Sequence, residues 1–143
     1  MTDLRTLLAD GLRPGVYRWH APKASADDVR RTVTAAGWNF VLLDTTQVPD
    51  KAGFLDLCAT AFDLPRWFGR NWDALADSLS DRSTGEPEVV LWDGWRELLD
   101  HDHDTVDVAL QIFTEDAKES GQLRVLLREA HDVPDLVNDL PVV

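Results

Sequence analysis

Leu64–Leu79, LPRWFGRNWDALADSL, carries more local instruction than any other stretch of this 143-residue chain. Pro65 biases Leu64 away from the α region and predicts that a preceding helix ends there. Trp67 and Phe68 follow in a segment too short and too punctuated for a strand. Gly69 allows a turn that a residue with a Cβ would resist. Asn71 is a favoured N-cap, so a helix is expected from Trp72. On it Trp72, Leu75 and Leu79 recur at i, i+3 and i+7 and face the core. Asp73, Ala76, Asp77 and Ser80 share another face. Its two carboxylates, one turn apart, repel by roughly 0.2–0.5 kcal/mol. Asp73 recovers part of that from its place in the first turn, near the positive end of the helix dipole. Acidic residues on an outer helix face are ordinarily just solvated. This face differs in having the Trp67 indole beside it, the residue type and setting of an interface hot spot.

The charge distribution points the same way. The formal net charge is −12, from 14 basic and 26 acidic residues. Residues 1–70 hold 9 basic and 8 acidic side chains, whereas residues 71–143 hold 5 and 18. The acidity therefore begins where the Trp72 helix begins. Such a surface repels phosphate backbones, which argues against nucleic acid as a direct ligand. It suits a basic protein partner, and nucleic-acid enzymes are commonly basic around their substrate grooves.

A chain of this length reads as one domain, able to bury about 68–70 % of its unfolded surface without disulfide or metal. The lone Cys58, spaced with Phe54 and Phe62, reads as a small core residue. No apolar run approaches a membrane span, and the first residues lack a signal-peptide core. The expectation is a cytoplasmic protein with no membrane partner.

Around the central stretch, strand and helix patterns alternate. Asp3 caps a short helix with Leu4, Leu7 and Leu8 inward, ended by Gly11. Val16–His20 reads as a strand with Tyr17 and Trp19 on one face. Ser25 and Asp28 approximate a capping box for a helix with Val29, Val33 and Ala36 inward, closed by Gly37. Asn39–Asp44 is a near-continuous apolar run suited to a parallel strand. Pro49 and Asp50 open a helix with Phe54, Cys58, Ala61 and Phe62 inward. Beyond the loop Ser80–Pro87, Val89–Trp92 is a buried strand. Trp95–Asp100 is a short helix, and Asp104 caps the longest one, with Val106, Ala109, Leu110, Phe113 and Ala117 inward. Gly121 ends it, Leu123–Leu127 is the last strand, and Leu136 and Val137 suggest one helical turn. The alternation predicts an α/β fold with a mostly parallel sheet.

Catalytic and metal chemistry find little support. HDHD at 101–104 has no helical histidine pair or cysteine, so it matches no zinc pattern and no metal is expected. Asp73 and Asp77 point the same way and cannot flank a glycosidic bond as paired acid and base must. No phosphate loop, nucleophile elbow or dinucleotide fingerprint is present. The expectation is a chain without enzymatic activity or cofactor. Of the tryptophans, Trp72, Trp92 and Trp95 sit at core positions, Trp19 and Trp38 at positions open to either role, and Trp67 where a partner would meet it.

LPRWFGRNWDALADSL resembles the signature of the barstar family, the intracellular inhibitors of barnase-like ribonucleases. The match runs without gaps through Leu64, Pro65, Trp67, Phe68, Gly69, Asn71, Trp72, Asp73, Ala74, Leu75, Asp77 and Leu79. QIFTEDAK, Gln111–Lys118, resembles the family's last helix. The resemblance implies a barstar-like core over about residues 40–127, with a three-stranded parallel sheet and helices packed around it. An extra βα unit within residues 1–37 would extend the sheet to four strands, and 131–143 would form a tail. It also implies a protein partner, a basic ribonuclease or another toxin nuclease. Asp77 would be the central anchor, standing where the RNA phosphate sits. Asp73 would pair with a neighbouring basic residue, and Trp67 would pack on the catalytic histidine. Glu115 matches the acidic contact of the last helix, with Asp116 an alternative. Phe68, Gly69, Asn71 and Ala76 complete the implied partner surface. Ala76 departs from the family, which often has an aromatic there. Arg70 adds a positive charge to the patch, to pair with Asp73 or to tune specificity. The implied function is ribonuclease inhibition. The alternatives are immunity against a different toxin nuclease and a barstar-like module without inhibitory role.

Overall fold

The structure is a computed structural model that describes residues 3–21, 23–65, 67–82, 85–128 and 140–143. The turn expected at Leu136 and Val137 lies outside the described residues. In chain order the elements are α1 (Leu4–Ala9), β1 (Gly15–Trp19), α2 (Ala26–Ala35), β2 (Asn39–Asp44), α3 (Lys51–Ala61), α4 (Trp72–Asp81), β3 (Glu88–Asp93), α5 (Trp95–His101), α6 (His103–Ser120) and β4 (Leu123–Arg128). The caps that start all of these helices but α5, which begins after the left-handed Gly94, are short polar side chains. Asp3, Ser25, Asp50 and Asn71 each accept a hydrogen bond from the backbone N–H three residues on, as N-caps do.

All strand pairs are parallel, in the order β1-β4-β3-β2. The fold is thus α/β, a four-stranded parallel sheet among the described residues with helices around it. The added first strand pairs with the last one, Val16 opposite Val125. Residues 140–143 lie along its outer edge: the Arg18 N–H donates to the Pro141 carbonyl at 2.8 Å, and the Val143 N–H to the Arg18 carbonyl at 3.0 Å.

Alternating strand residues feed two apolar cores, one on each sheet face. One face packs Val16, Val41, Leu43, Val90, Trp92 and Val125 against α3, α4, α5 and α6. The other packs Tyr17, Trp19, Val89, Leu91 and Leu126 against α1 and α2. Tyr17 and Trp19 share a face, as their spacing predicts. The split follows from connectivity. The step from β1 to β2 runs across the sheet in one direction and the later steps run back, so right-handed crossovers place their helices on opposite faces.

Some details depart from expectation. Ala36 is exposed at the C-cap of α2 and not inward. The cap of α6 is Asp102, whose carboxylate accepts the Thr105 N–H at 3.2 Å, and not Asp104. HDHD is consumed by this junction: His101 closes α5, Asp102 caps, and His103 opens α6. Cys58 is buried, and desolvation pushes its thiol pKa up, which suits a packing role.

Candidate functional site

The segment from α3 into α4 is built from backbone rules. α3 ends at Ala61, earlier than Leu64, in a Schellman motif. Asp63 takes the left-handed conformation (φ 52°), the Leu64 N–H donates to the Ala59 carbonyl at 2.9 Å, and the Asp63 N–H to that of Thr60 at 3.3 Å, the paired bonds of that cap. Pro65 follows, and its carbonyl accepts the Phe68 N–H at 2.9 Å. This turn throws two adjacent aromatics in opposite directions. Trp67 is 84 % exposed, and Phe68 is only 6 % exposed within the core. Phe68 is therefore the anchor of the loop and Trp67 its projecting tip.

The left-handed residue of this loop is Arg70 (φ 52°), not Gly69. A Cβ on Gly69 would instead lie 3.1 Å from the Asn71 carboxamide nitrogen. That carboxamide caps α4, its oxygen accepting the Ala74 N–H at 2.8 Å. Gly69 thus leaves room for the cap. Arg70 does not pair with Asp73. Its Nε donates to the Asp56 carboxylate at 2.7 Å, its Nη1 to the Phe68 carbonyl at 3.2 Å, and its guanidinium lies over the Phe68 ring. Sequence could not show this partner, because Asp56 comes from the outer side of α3.

Behind α4 lies an aromatic cluster. Leu75 and Leu79 are buried, and half-buried Trp72 sits 5.9 Å from Phe54. Phe54 in turn is 5.5 Å from Trp92, which meets Phe113 edge-on at 5.7 Å. The Trp92 indole N–H donates to the buried Thr45 hydroxyl at 2.9 Å, so its polar atom is satisfied inside the core. This stack fixes the position and roll of α4. Asp73 and Asp77 consequently face solvent, and among the described residues no cation pairs with either. The nearby cations are spoken for: Arg70 by Asp56, and Lys51 over the Trp72 ring at 5.5 Å.

α6 lies beside α4. Glu115 is exposed, one turn along from Gln111, while Asp116 is half-buried between α6 and the end of α4. Burial raises the Asp116 pKa, with Glu119 and Glu88 adding to the rise and Arg82 opposing it. Arg82 is itself held in a two-pronged pair with Glu88, at 2.7 and 2.9 Å, and lies over Phe62. Asp73, Ala76, Asp77 and Glu115 are thus gathered on one side by α4 and α6. Asn71 stands at the start of that surface and Gly69 in the loop before it. The arrangement offers hydrogen-bond acceptors and negative charge, with a free indole at one end. It holds no nucleophile–base pair.

At the carboxyl ends of the strands, where open parallel sheets commonly bind ligands, the space is taken by side chains. Arg128 at the end of β4 donates two bonds to Asp93 at the end of β3, at 2.8 and 2.7 Å. Its remaining Nη1 donates to the Ala21 and Ala24 carbonyls in the β1–α2 connection. Gly94 (φ 71°) turns there against β2's exit, and a Cβ would come 2.3 Å from the Thr46 nitrogen. Nothing in the sequence marked Arg128 as the clasp between the first strand's loop and the rest.

Comparison with known proteins agrees with this architecture. Among solved structures, that of the Aeropyrum pernix ORC2 protein in ADPNP–ADP complexes matches with a TM-score of 0.60 at 12 % identity. The match covers 96 % of this chain and 43 % of that one, so the chain spans less than half its length, and the likeness is one of fold. No curated protein matches. The family model described as Barstar (barnase inhibitor) matches residues 38–131, from just before β2 to just beyond β4. That segment contains the acid face, the Trp67 loop and three of the sheet's strands, and on it the chain belongs to the barstar family.

Proposed function

We propose that the chain is a protein inhibitor of a barnase-like ribonuclease and has no catalytic activity of its own. One observation carries this reading: Asp73 and Asp77 stand in solvent on a rigidly backed helix, without a cation partner among the described residues, beside a Trp67 indole that is 84 % exposed. Carboxylates of this kind form strong charge-assisted bonds with arginines. They would occupy the enzyme's phosphate subsites, with Asp77 at the centre, Asp73 at its flank and Trp67 against the catalytic imidazole. Glu115 would make the contact from α6. Phe68, Gly69 and Asn71 would serve indirectly, by holding the loop and the helix start. The acidic surface would also speed encounter with a basic enzyme. Acting inside the producing cell, such a protein would protect its RNA; among the described residues no helix is long and apolar enough to cross a membrane.

Two features favour a partner other than barnase itself, such as a different toxin nuclease: Ala76 replaces the family's frequent aromatic, and α1, β1 and α2 lie ahead of the matched segment. The test is RNA cleavage by barnase, and by basic nucleases captured on the immobilised chain, with wild type and Asp77→Ala. The expected result is inhibition by wild type that the variant loses. Inhibition equal in both, or none toward any captured nuclease, overturns the reading. Association should slow markedly between low and physiological salt, since exposed charges are screened over ~8–10 Å there.

A further inference from the structure

The sheet has two outer strands, β1 and β2, and the fold treats them differently. On β1, Arg18 presents its N–H and C=O outward, and the 140–143 segment takes both; the Arg18 Nε also donates to the Leu140 carbonyl at 2.8 Å. β2 has no such cover among the described residues. Its Asn39 N–H donates to the Pro87 carbonyl, and the Thr45 N–H just beyond it to that of Asp93, both at 2.9 Å. Asn39, Val41 and Leu43 therefore turn their backbone groups toward β3, and Phe40, Leu42 and Asp44 turn theirs outward. Among the described residues nothing bonds to the backbone groups of those outward three. Exposed edges are ordinarily guarded by a lysine, a proline, a bulge or a covering segment. The strand NFVLLD holds no lysine or proline, and its register with β3 runs residue for residue, without a bulge. Phe40 and Leu42 are only half-buried. Such an edge is a template for another strand.

We infer that β2 is a dimer edge, on which a second copy of this chain pairs antiparallel through its own residues 40–44, so that one sheet runs unbroken through both copies. The inference goes beyond the inhibitor reading and does not depend on it. Charge complementarity selects this occupant. A two-fold axis through Leu42 sets that residue opposite its own copy and Phe40 opposite Asp44 of the second copy, with their outward N–H and C=O groups exchanged. The Arg30 guanidinium lies over the Phe40 ring, 5.5 Å from its centroid, and its other contact is an exposed one to Asp27 at 3.7 Å. The Asp44 Oδ1 accepts both Thr46 bonds, at 3.0 and 2.6 Å, which leaves Oδ2 to face outward partners. A carboxylate placed opposite Phe40 therefore meets Arg30, and the two-fold axis repeats the pair. The axis stands across the sheet plane, so both copies keep α1 and α2 on one face. Their α4 helices lie together on the other, and the two acid faces point to the same side.

The test is sedimentation equilibrium of the full chain at ~0.15 M salt, where repulsion between two copies of net charge −12 is screened beyond ~8 Å. The expected result is a reversible monomer–dimer equilibrium with half-association between about 10 µM and 1 mM, as suits a small edge contact. Amide hydrogen exchange locates the contact. The Phe40, Leu42 and Asp44 amides should exchange fast in the monomer and roughly tenfold or more slowly in the dimer, while the Arg18 amide stays unchanged. Leu42→Pro deletes the central outward N–H at a position where an edge strand tolerates proline, and should leave only monomer. Arg30→Glu sits on an exposed helix face and keeps the fold. It should weaken the dimer by about three- to tenfold, because two exposed attractions become repulsions. A chain that stays monomeric to ~1 mM overturns the inference. So does a dimer whose three amides exchange as in the monomer, a monomer in which they are already protected, or a dimer undiminished in folded Leu42→Pro or in Arg30→Glu.

Discussion

Two sets of carboxylates in this molecule have opposite fates. Asp93 and Glu88 lie on β3 and are each gripped by two nitrogens of one arginine, Arg128 and Arg82. Asp73 and Asp77 lie on α4, exposed and without a cation partner among the described residues. The chemical group is the same. The first set spends its charge inside the fold and holds elements together. The second keeps its charge unspent and slightly strains the helix that carries it. Asp73 and Asp77 thus stay open on a stiff support, whereas the two acids of β3 are held within the fold.

Substitutions can break or sharpen this contrast. The largest loss of fold is expected for Arg128→Ala, which strands Asp93 and frees the β1–α2 connection. With side chains 13 % and 23 % exposed, the cost should fall at about 2–4 kcal/mol, below the ~3–5 of a fully buried pair. Denaturant titration measures it, and inhibition should persist wherever the variant remains folded. Asp77→Ala is the mirror case. Its affinity for the nuclease should fall by at least ~2 kcal/mol, as for a hot-spot residue, a class value to which the barnase–barstar complex itself contributes. Its denaturation midpoint should not fall. Unfolding of this variant would erase the distinction between the two sets.

Asn71→Ala falls between them. Loss of the bond to the Ala74 N–H should cost about 1 kcal/mol of stability, and fraying of the first turn should weaken binding through Asp73, both measurable on one sample by calorimetry. The smallest effect is expected at Asp116, whose carboxyl is half-buried. Its pKa is raised in the fold, so the folded state prefers the protonated form and loses stability as pH rises through that folded value. Asp116→Asn should therefore be the more stable protein at pH ~7, by no more than about 0.5 kcal/mol. The gap should close in acid, where both side chains are neutral, as thermal melts across pH would show.

Much of this contrast could be read in the residues. The period of Trp72, Leu75 and Leu79 placed Asp73 and Asp77 outward, and the caps at Asp3, Ser25, Asp50 and Asn71 are local chemistry that sequence states directly. The acidic second half and the family signature pointed to the same helix. What sequence could not show were partnerships between distant elements. Arg70 had an acid three residues away and bonds instead to Asp56, because the left-handed turn at Arg70 aims the guanidinium back at α3. Trp67 was legible as an outward aromatic, but Phe68 was expected on the same partner surface, and only the packed loop shows it buried as an anchor. The α5–α6 junction at Asp102 was missed by two residues, since any acid in HDHD is a credible cap. The Arg128–Asp93 pair likewise exists only once the sheet brings the ends of β3 and β4 together, and both residues lie just past the strands expected from sequence.

The pairing of β1 sets a timetable. Its Arg18 bonds to the Leu140 carbonyl, 122 positions away, and its ladder partner is β4. During synthesis β1 must therefore wait for β4, and contacts over such separations form slowly. β2, β3 and β4 pair among themselves without it. The acid face is thus mounted on the three strands that pair among themselves without β1, and the N-terminal strand is an addition to their edge.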